Sequence, residues 1–385
     1  MDETDSARQH APHARALEAL SRRGRLRRLT PRAGLDFASN DYLGLAGSAE
    51  LATAATEAIA RGVPVGAGGS RLLRGNHPEH EALEAEACQH FASEAALLVG
   101  GGFLANYALF STLPQRGDLV VHDELIHASV HDGMRAGRAE TVATRHNDAD
   151  AVEDAIILWR ARGGRGRPWI AVESLYSMDG DRAPLADLGT IADRHEAMLV
   201  VDEAHATGVL GPGGRGLAAE LEGRSNVIAL HTCGKALGVS GALLTLPRTL
   251  ADFLVNRCRP FIYATAPSPL VAAVVRAALR LVSTDGDRRR RHAGLVAFAI
   301  DELSNRLPCA APRSHIVPVL VGTDARAVAL ADAMQKAGFD VRAIRPPTVP
   351  EGTARVRIAL TLNVGKEDVA SMISTLAHQL SRLPT

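Results

Sequence analysis

The chain has 385 residues, of which 46% are hydrophobic and 22% charged, a composition typical of a globular protein and not of a disordered or fibrous one. Lys and Arg total 43 and so do Asp and Glu, so net charge gives no reason to expect nucleic acid or a membrane surface as a partner. The four cysteines form no Cys-x-x-Cys pair, which argues against a metal cluster or disulfide framework and fits a reducing cytoplasm. A small-molecule site is therefore the expectation.

The N-terminal region is rich in arginine, with six arginines between Arg22 and Arg32. Acidic residues at positions 2, 3 and 5 and the lack of an apolar signal core argue against a transit or signal peptide. We interpret most of these arginines as a solvated helix face, with one arginine in contact with a substrate. Residues 1–45 are expected to pack with the C-terminal part of the chain.

The central part of the chain, from Ala95 to Pro247, alternates short apolar runs with helical patterns, which predicts βαβ units and a mainly parallel sheet. The predicted strands are Ala96–Val99, Leu119–Val121, Thr141–Ala143, Trp169–Val172, Met198–Val201, Val227–Leu230 and Gly241–Leu246. The predicted helices are Phe103–Leu113, Ala128–Ala136, Ala149–Ala161, Pro184–His195 and Leu250–Arg257. These elements predict a large α/β domain, residues 46–267, around one seven-stranded sheet.

The stretch from Ala95 to Gln115 lacks charged residues and is long enough to raise the question of a membrane span. Gly100, Gly101 and Gly102 interrupt it, so we interpret it as a strand, a glycine loop and the start of a helix.

The last part of the chain, residues 268–385, predicts a smaller α+β domain. Two long helical patterns follow Ser268. Strands are predicted at Ile316–Leu320, Val341–Ile344 and Val356–Ala359, and a final helix from Lys366.

Polar clusters follow four of the predicted central strands, at residues 123–127, 173–177, 202–205 and 232–235. In parallel α/β sheets, ligands bind beyond the carboxyl ends of the strands. We therefore expect these four clusters to meet in one cleft.

Asp202 ends a predicted strand in the segment VDEAHATG, with His205 three residues later. A carboxylate at this place can keep a heteroaromatic nitrogen protonated, so that the ring accepts electrons from a developing carbanion. Clusters of this kind also form metal sites or purely structural hydrogen bonds, and a metal would need a further ligand.

Lys235 follows a strand in HTCGKALGVSGA, between Gly234 and Gly238. Most lysines lie on the surface, but a lysine desolvated in a cleft becomes an amine that forms and exchanges an imine. The small residues around Lys235, together with the earlier Asp202 cluster, favour that second interpretation.

The segment GGFLANYALF places a glycine loop before a helix N-terminus, where free backbone N–H groups attract a phosphate. Gly102 and Phe103 are the predicted donors. His127, in DELIHASV, is left with two interpretations: it caps a helix, or its imidazole lies on a cofactor ring.

Several ordered segments resemble one family of enzymes. They are SNDYLGL (39–45), GSRLLRGNHPEHEALE (69–84), GGFLANYAL, DELIHAS, ESLYSMDGDRAPL (173–185), VDEAHATGVLGPGGRG (201–216), HTCGKALGVSGA and RPPTVPEGTARVRIALT (345–361). Together they cover nearly the whole chain, and they resemble the α-oxoamine synthase family of fold-type-I pyridoxal-5′-phosphate (PLP) enzymes. The resemblance implies a homodimeric PLP-dependent acyltransferase with the active site at the subunit interface.

The resemblance implies a role for each residue that matches a motif of the family. Lys235 forms the imine with PLP and serves as the base for the substrate Cα proton. Asp202 pairs with the pyridine nitrogen, and His205 hydrogen-bonds the ring hydroxyl. The other cofactor contacts that it implies are His127 stacked on the ring, Ser177 and Thr232 beside it, and Gly102 with Phe103 at the phosphate.

Substrate contacts follow from the same resemblance. Arg345 is expected to clamp the amino-acid carboxylate in a bidentate pair, with Thr348 and His127 beside the substrate. Arg27 is the expected acyl-substrate arginine, with Arg28 as the alternative. Residues 263–265 are expected to reach the partner subunit's cofactor phosphate.

Within the family, the segment AIRPPTVP is similar to the branch that joins L-alanine to a pimeloyl thioester, carried on CoA or an acyl carrier protein, in biotin biosynthesis. Glycine C-acetyltransferase and serine palmitoyltransferase are the alternatives, and a catalytically inactive member is a more distant one. The chain departs from the family at Leu362–Asn363–Val364, where a TAAH-like sequence is frequent. That departure bears on the acyl substrate more than on the cofactor.

Overall fold

The structure is a computed structural model that describes residues 10–307 and 313–383; Cys309 and the first nine residues of the predicted N-terminal segment lie outside them. The chain divides into two compact units. Of the described residues, the larger unit comprises 40–294 with 361–363, and the smaller one comprises 10–39, 295–307, 313–360 and 364–383.

The larger unit is built on a seven-stranded sheet in the order β2-β8-β7-β6-β5-β3-β4. Only β8 runs antiparallel to its neighbours, so the predicted mainly parallel sheet is confirmed. Its strands are β2 Ala95–Val99, β3 Leu119–Asp123, β4 Glu140–Thr144, β5 Pro168–Glu173, β6 Met198–Asp202, β7 Val227–Thr232 and β8 Ala242–Leu246. Apart from the edge strand β4, all of them are buried along their full length, which explains their continuous apolar sequences.

Helices supply two apolar clusters that cover the sheet. One cluster includes Ala105, Leu109 and Val130, and the other includes Val152, Ile156 and Leu188. The helices of this unit are α2 Ala49–Ala60, α3 Pro78–Phe91, α4 Gly102–Thr112, α5 Ala128–Ala136, α6 Ala149–Ala161, α7 Leu185–Arg194, α8 Arg248–Arg257, α9 Arg259–Ile262 and α10 Pro269–Thr284. Short turns of π-helix and 3₁₀-helix lie at Arg71–Gly75 and Pro212–Gly214.

The uncharged stretch from Ala95 forms β2, a glycine loop and α4, as predicted. Within residues 10–307 and 313–383, none of the helices combines the length and apolar character that crossing a membrane requires.

Helix α10 corrects the predicted domain boundary. The sequence predicts that this helix lies in the C-terminal domain from residue 268, but in the structure it belongs to the larger unit. Its apolar face packs on α2 and α3, and Arg276 forms ion pairs with Glu79 and Glu86 of α3. Burial of its apolar face thus holds α10 on the larger unit. The boundary between the units falls later, at Gly294, within helix α11 Gly286–Arg306.

The smaller unit contains two sheets. β1 Leu35–Asp36 pairs in parallel with β10 Phe339–Asp340, which joins the N-terminal segment to the C-terminal part of the chain. The antiparallel sheet β11-β12-β9 contains Arg342–Ile344, Ala354–Ala359 and Ile316–Gly322. The helices of this unit are α1 Ala11–Arg22, α12 Asp324–Lys336 and α13 Lys366–Ser381, with the end of α11.

Candidate active site

Four strands of the larger sheet end side by side where the polar clusters were predicted. Strands β7, β6, β5 and β3 are neighbours and parallel, and they end at Thr232, Asp202, Glu173 and Asp123. In the register of the sheet, Glu173 lies opposite Asp202. The clusters therefore meet at the carboxyl edge of the sheet, as in other ligand-binding α/β sheets.

Lys235 lies in the loop after β7, and its Nζ is 2.7 Å from His205 Nε2. On the other side of the imidazole, His205 Nδ1 is 2.6 Å from the hydroxyl of Tyr42. The Tyr42 hydroxyl also donates to Asn40 Oδ1, at 3.0 Å. His205 is thus held from both ring nitrogens, which fixes the orientation of its ring beside the lysine.

Gly238 allows the lysine loop to approach the segment that carries Tyr42. Its φ is +69°, and a Cβ at this position would lie 2.5 Å from the backbone nitrogen of Ala46. No other residue type fits both the left-handed backbone and the close approach. The glycine noted in the sequence beside Lys235 therefore has a packing function.

Asp202 is buried, and each of its carboxylate oxygens accepts a hydrogen bond. Asn106 Nδ2 donates to Oδ2 at 2.7 Å, and the backbone N–H of Ala204 donates to Oδ1 at 2.9 Å. Asn106 also donates to Ser129 Oγ at 3.0 Å. These two donors hold the carboxylate of Asp202 in place at the end of β6.

His127 is the N-cap of α5, so the capping interpretation is confirmed. Its Nδ1 accepts from the backbone N–H of Ser129 at 3.3 Å and lies 2.7 Å from Ser129 Oγ. Burial lowers the pKa of His127, against the raising effect of Asp202. The imidazole is therefore neutral, with Nδ1 as an acceptor.

The glycine loop after β2 leaves backbone exposed at the start of α4. The N-cap, Gly101, provides no side-chain cap, so the first N–H groups of the helix, including those of Gly102 and Phe103, point out of the helix end. A Cβ on Gly102 would lie 3.4 Å from Thr232 Oγ1, which shows that this loop and the end of β7 are neighbours. An anion here would meet N–H donors, a hydroxyl and the positive end of the helix dipole.

Glu173 is the deeply buried carboxyl group of the site. Its Oε2 accepts from the backbone N–H of Ser177 at 3.0 Å, and its Oε1 has no hydrogen-bond partner among the described residues. Burial, followed by the negative charge of Asp202, raises the pKa of Glu173 to about 8, although Lys235 opposes the shift. Glu173 is therefore protonated at neutral pH beside an ionised Asp202.

The site has a suitable partner for the aldehyde, the ring nitrogen and the phosphate of PLP. The amine of Lys235 suits its aldehyde, the doubly held carboxylate of Asp202 suits a protonated ring nitrogen, and the bare start of α4 suits its phosphate.

Of the predicted substrate residues, His127 lies in the larger unit, and the other three lie near one another in the smaller unit. Arg27 Nη2 donates to Thr348 Oγ1 at 3.4 Å, and Arg345 donates to the backbone oxygen of Gly24. The backbone N–H of Thr348 donates to the carbonyl of Arg345 at 3.0 Å, which makes a turn of this segment.

The sequence did not predict roles for Asn106 and Tyr42, and it did not predict that Glu173 is protonated. Asn106 and Tyr42 stand inside the quoted segments GGFLANYAL and SNDYLGL. A polar side chain within an apolar helix was the one available signal for Asn106. The state of Glu173 depends on burial between neighbouring strands, which the sequence does not contain.

Comparison with known proteins agrees with this site. The family described as aminotransferase class I and II matches residues 32–376. The 8-amino-7-oxononanoate synthase of Anaeromyxobacter dehalogenans (strain 2CP-1) is 42% identical over an alignment that covers 96% of this chain and 95% of that protein. The 8-amino-7-oxononanoate synthase of Chromobacterium violaceum is 43% identical, with 86% of this chain and 85% of that protein covered.

Two solved structures are similar to the whole chain. A serine palmitoyltransferase of Sphingomonas wittichii has a TM-score of 0.87 at 26% identity and covers 100% of both chains. An 8-amino-7-oxononanoate synthase of Francisella tularensis has a TM-score of 0.76 at 25% identity, with 91% of this chain and 98% of that chain covered.

The raised pKa of Glu173 predicts a pH-dependent stability. The group ionises near 4.5 when unfolded and near 8 when folded, so the stability it contributes is present below pH 4.5 and is lost as pH rises through about 8. Glu173→Gln removes this dependence while keeping an acceptor for Ser177. Between about pH 5 and about pH 8, we expect the unfolding free energy of the cofactor-free variant to rise relative to the parent by up to roughly 1.4 kcal/mol per pH unit, observed as a growing difference in Tm. A Tm difference that is constant over this range would contradict the assignment.

Proposed function

Because the chain belongs to the class I and II aminotransferase family, we propose that it is a PLP-dependent acyltransferase that condenses L-alanine with a pimeloyl thioester. The products are 8-amino-7-oxononanoate, CO₂ and the free thiol of CoA or of a carrier protein. The observation that carries the proposal is the pairing of Lys235 with the Asp202 and His205 cluster, in a chain 42% identical over 96% of its length to an 8-amino-7-oxononanoate synthase. The reaction belongs to biotin biosynthesis.

A second candidate is the reaction of serine palmitoyltransferase, which differs in the amino acid and the acyl chain. The TM-score of 0.87 to the Sphingomonas wittichii enzyme favours it, but the identity is 26%. Identity of 42% to an 8-amino-7-oxononanoate synthase carries more weight for substrate choice, because fold similarity is shared by enzymes with different substrates. Glycine C-acetyltransferase is a third member of this group.

When bound, PLP would supply an electron sink for the negative charge that develops at the alanine Cα. Side chains of the larger unit would hold the cofactor and move the proton. Asp202, held by Asn106 and Ala204, keeps the pyridine nitrogen protonated. Lys235 Nζ would hold the cofactor and, once the amino group of alanine has displaced it, the free amine would take the proton from the substrate Cα and later return it.

The neighbours of Lys235 orient the ring and the phosphate. His205 would hydrogen-bond the ring hydroxyl, in an orientation set by Tyr42. His127 is neutral and can stack on the ring while its Nδ1 remains bound to α5. Gly102 and Phe103 bind the phosphate through backbone N–H groups, and Thr232 and Ser177 add hydroxyl groups.

We assign the substrate carboxylate to Arg345, with Thr348 beside the substrate and Arg27 at the acyl chain. The guanidinium group can meet a carboxylate with two parallel hydrogen bonds. The contact of Arg27 with Thr348 supports a common role for these side chains. Arg28 remains the alternative to Arg27.

We propose that the protein acts as a homodimer in the cytoplasm. The segments 63–75 and 261–268 are joined by a hydrogen bond from Ala266 N to Gly69 O and expose several apolar side chains, Val65, Leu72, Leu73 and Tyr263. Exposed apolar patches of this kind often mark protein interfaces, and residues 263–265 in this patch would face the partner's cofactor. The cytoplasm would keep the free thiols of Cys88, Cys233 and Cys258 reduced.

The reaction is tested by turnover of the PLP-loaded protein with pimeloyl-CoA. We expect alanine to give 8-amino-7-oxononanoate and CO₂, with kcat/KM at least about tenfold above that for glycine or serine. A parallel arm with pimeloyl-carrier protein identifies the acyl donor. Preference for serine with palmitoyl-CoA would establish the second candidate instead.

The covalent role of Lys235 is tested by borohydride reduction followed by peptide mapping. The chain contains only three lysines, Lys235, Lys336 and Lys366, so the label has few possible positions. We expect the phosphopyridoxyl label on Lys235 alone. Lys235→Ala should keep the circular dichroism spectrum of the parent but lose turnover, because no amine is left to hold the cofactor or carry the proton. A label on either of the other lysines would refute the assignment.

The role of Arg345 is tested by titrating the absorption band of the bound cofactor with alanine. Charge-assisted hydrogen bonds contribute about 1.5–3 kcal/mol each, so Arg345→Ala should raise the alanine Kd by at least roughly tenfold. Arg345→Lys should have a smaller effect, since lysine offers a point charge without the fork. Arg342→Ala, three residues earlier in the same unit, is the control and should bind alanine as the parent does. Unchanged binding by Arg345→Ala would place the carboxylate clamp elsewhere.

A further inference from the structure

His146 lies outside the residues that the proposed function uses, in the loop between β4 and α6, and both of its ring nitrogens contact carboxylates. Nδ1 lies 2.9 Å and 3.0 Å from the two oxygens of Asp123, and Nε2 lies 2.8 Å from Asp181 Oδ2. We infer that His146 is a positioning residue for the active site, which fixes the turn of residues 175–182 and thereby Ser177. The inference rests on the proposed function, because it assigns a role within the same site.

The geometry requires a charged imidazole. A neutral histidine has one N–H donor, whereas two ionised carboxylates offer only acceptors. Burial disfavours the charge, but the hydrogen bonds to Asp123 and Asp181 outweigh it and raise the pKa of His146 to about 10. In the same network, burial would raise the pKa of Asp123, but the His146 contact and two backbone N–H donors lower it.

The other groups that face His146 reinforce this arrangement. Its backbone N–H donates to Glu124 Oε1 at 3.1 Å. Asn147 donates from its backbone to Asp123 and from its side chain to Asp181, both at 2.8 Å. The ring of Tyr176 meets the imidazole edge-on, with the centroids 4.4 Å apart. Burial, together with Asp123, raises the pKa of Tyr176, so that the phenol stays neutral beside the imidazolium.

The turn of residues 175–182 is closed on itself. Tyr176 N donates to Asp181 O at 2.9 Å, and Gly180 N donates to Tyr176 O at 2.9 Å. A bridge pairs Leu175 with Arg182. His146 contacts both arms of this turn, Asp181 through a hydrogen bond and Tyr176 through its ring. The turn follows β5, and through His146 it is attached to the neighbouring strand β3 at Asp123.

Ser177 directly follows Tyr176, so the contacts that hold Tyr176 also fix the position of Ser177. Its backbone N–H donates to Glu173 Oε2, the buried acid beside Asp202. The start of the turn is fixed independently, because Ser174 N donates to Asp202 O at 2.9 Å. With its base held by β6, the turn needs a second attachment to fix its far side, and His146 provides it.

The test is a double-variant cycle on PLP affinity, measured by absorbance titration of protein from which PLP has been removed. His146→Gln replaces the imidazolium by a neutral amide, which has one donor nitrogen in place of two. We expect it to raise the PLP Kd about tenfold, within the range of coupling between neighbouring residues. In a Ser177→Ala background, the same change should alter the PLP Kd by less than about twofold, because Ser177 is the group through which His146 acts.

His195→Gln is the matched control. His195 Nε2 lies 2.8 Å from Glu153 Oε1, and the exposed fraction of its side chain is 18%, close to the 21% of His146. It joins α6 and the end of α7 away from the strand ends, so its loss should reduce Tm without changing PLP affinity. Equal PLP affinity in His146→Gln and the parent, or additive effects with Ser177→Ala, would overturn the inference.

A second variant tests whether His146→Gln affects PLP affinity only by destabilising the fold. His146→Gln leaves two buried carboxylates without their cation, a costly state. His146→Gln combined with Asp181→Asn restores the net charge of the parent cluster, and we expect it to regain Tm but not PLP affinity. Full recovery of PLP affinity would show that charge balance alone matters and would refute positioning. Parent protein that binds PLP but turns over no thioester would refute the proposed function and leave this inference standing.

Discussion

A buried carboxylate at the end of a strand must find hydrogen-bond donors, and the site is organised around how Asp202 meets that requirement. One donor is the local N–H of Ala204. The other is Asn106, one turn inside the helix whose N-terminus begins at Gly102. Because Asn106 also bonds Ser129 beside His127, the carboxylate ties β6, α4 and α5 together. Helix α4, whose N-terminus offers N–H groups to an anion, is thus anchored through Asn106 to Asp202, the residue that a ring nitrogen would meet.

The fold was largely predictable because periodicity and chain order determine a parallel sheet. All seven central strands appear at the predicted places, and helix α6 has the predicted bounds. The boundary at residue 268 was not predictable in the same way, since α10 and α11 read alike as long helical patterns. What separates them is the partner surface of α10, including Arg276 with Glu79 and Glu86. Such pairings between distant segments leave no mark in a single sequence.

The ionisable residues of the site were predictable from the sequence, but their protonation states were not. Glu173 and Asp202 follow neighbouring strands, and the pattern does not tell which carboxyl group keeps its proton. The structure separates them by their donors: Asp202 has one at each oxygen, whereas Glu173 is more deeply buried and has Ser177 N at one oxygen. Burial next to a fixed negative charge then leaves Glu173 neutral. The site thereby avoids two adjacent buried anions near one lysine.

The departure from the family at Asn363 has a structural explanation in the larger unit, to which residues 361–363 return. Asn363 Nδ2 donates to Asp41 Oδ2 at 3.3 Å, while Asp41 Oδ1 accepts from the backbone of Leu45 and Ala46. Leu362 N donates to the carbonyl of Tyr42, whose hydroxyl meets His205. The segment that differs from the family therefore supports the loop behind His205. The side-chain amide of Asn363 and the backbone N–H of Leu362 provide this support.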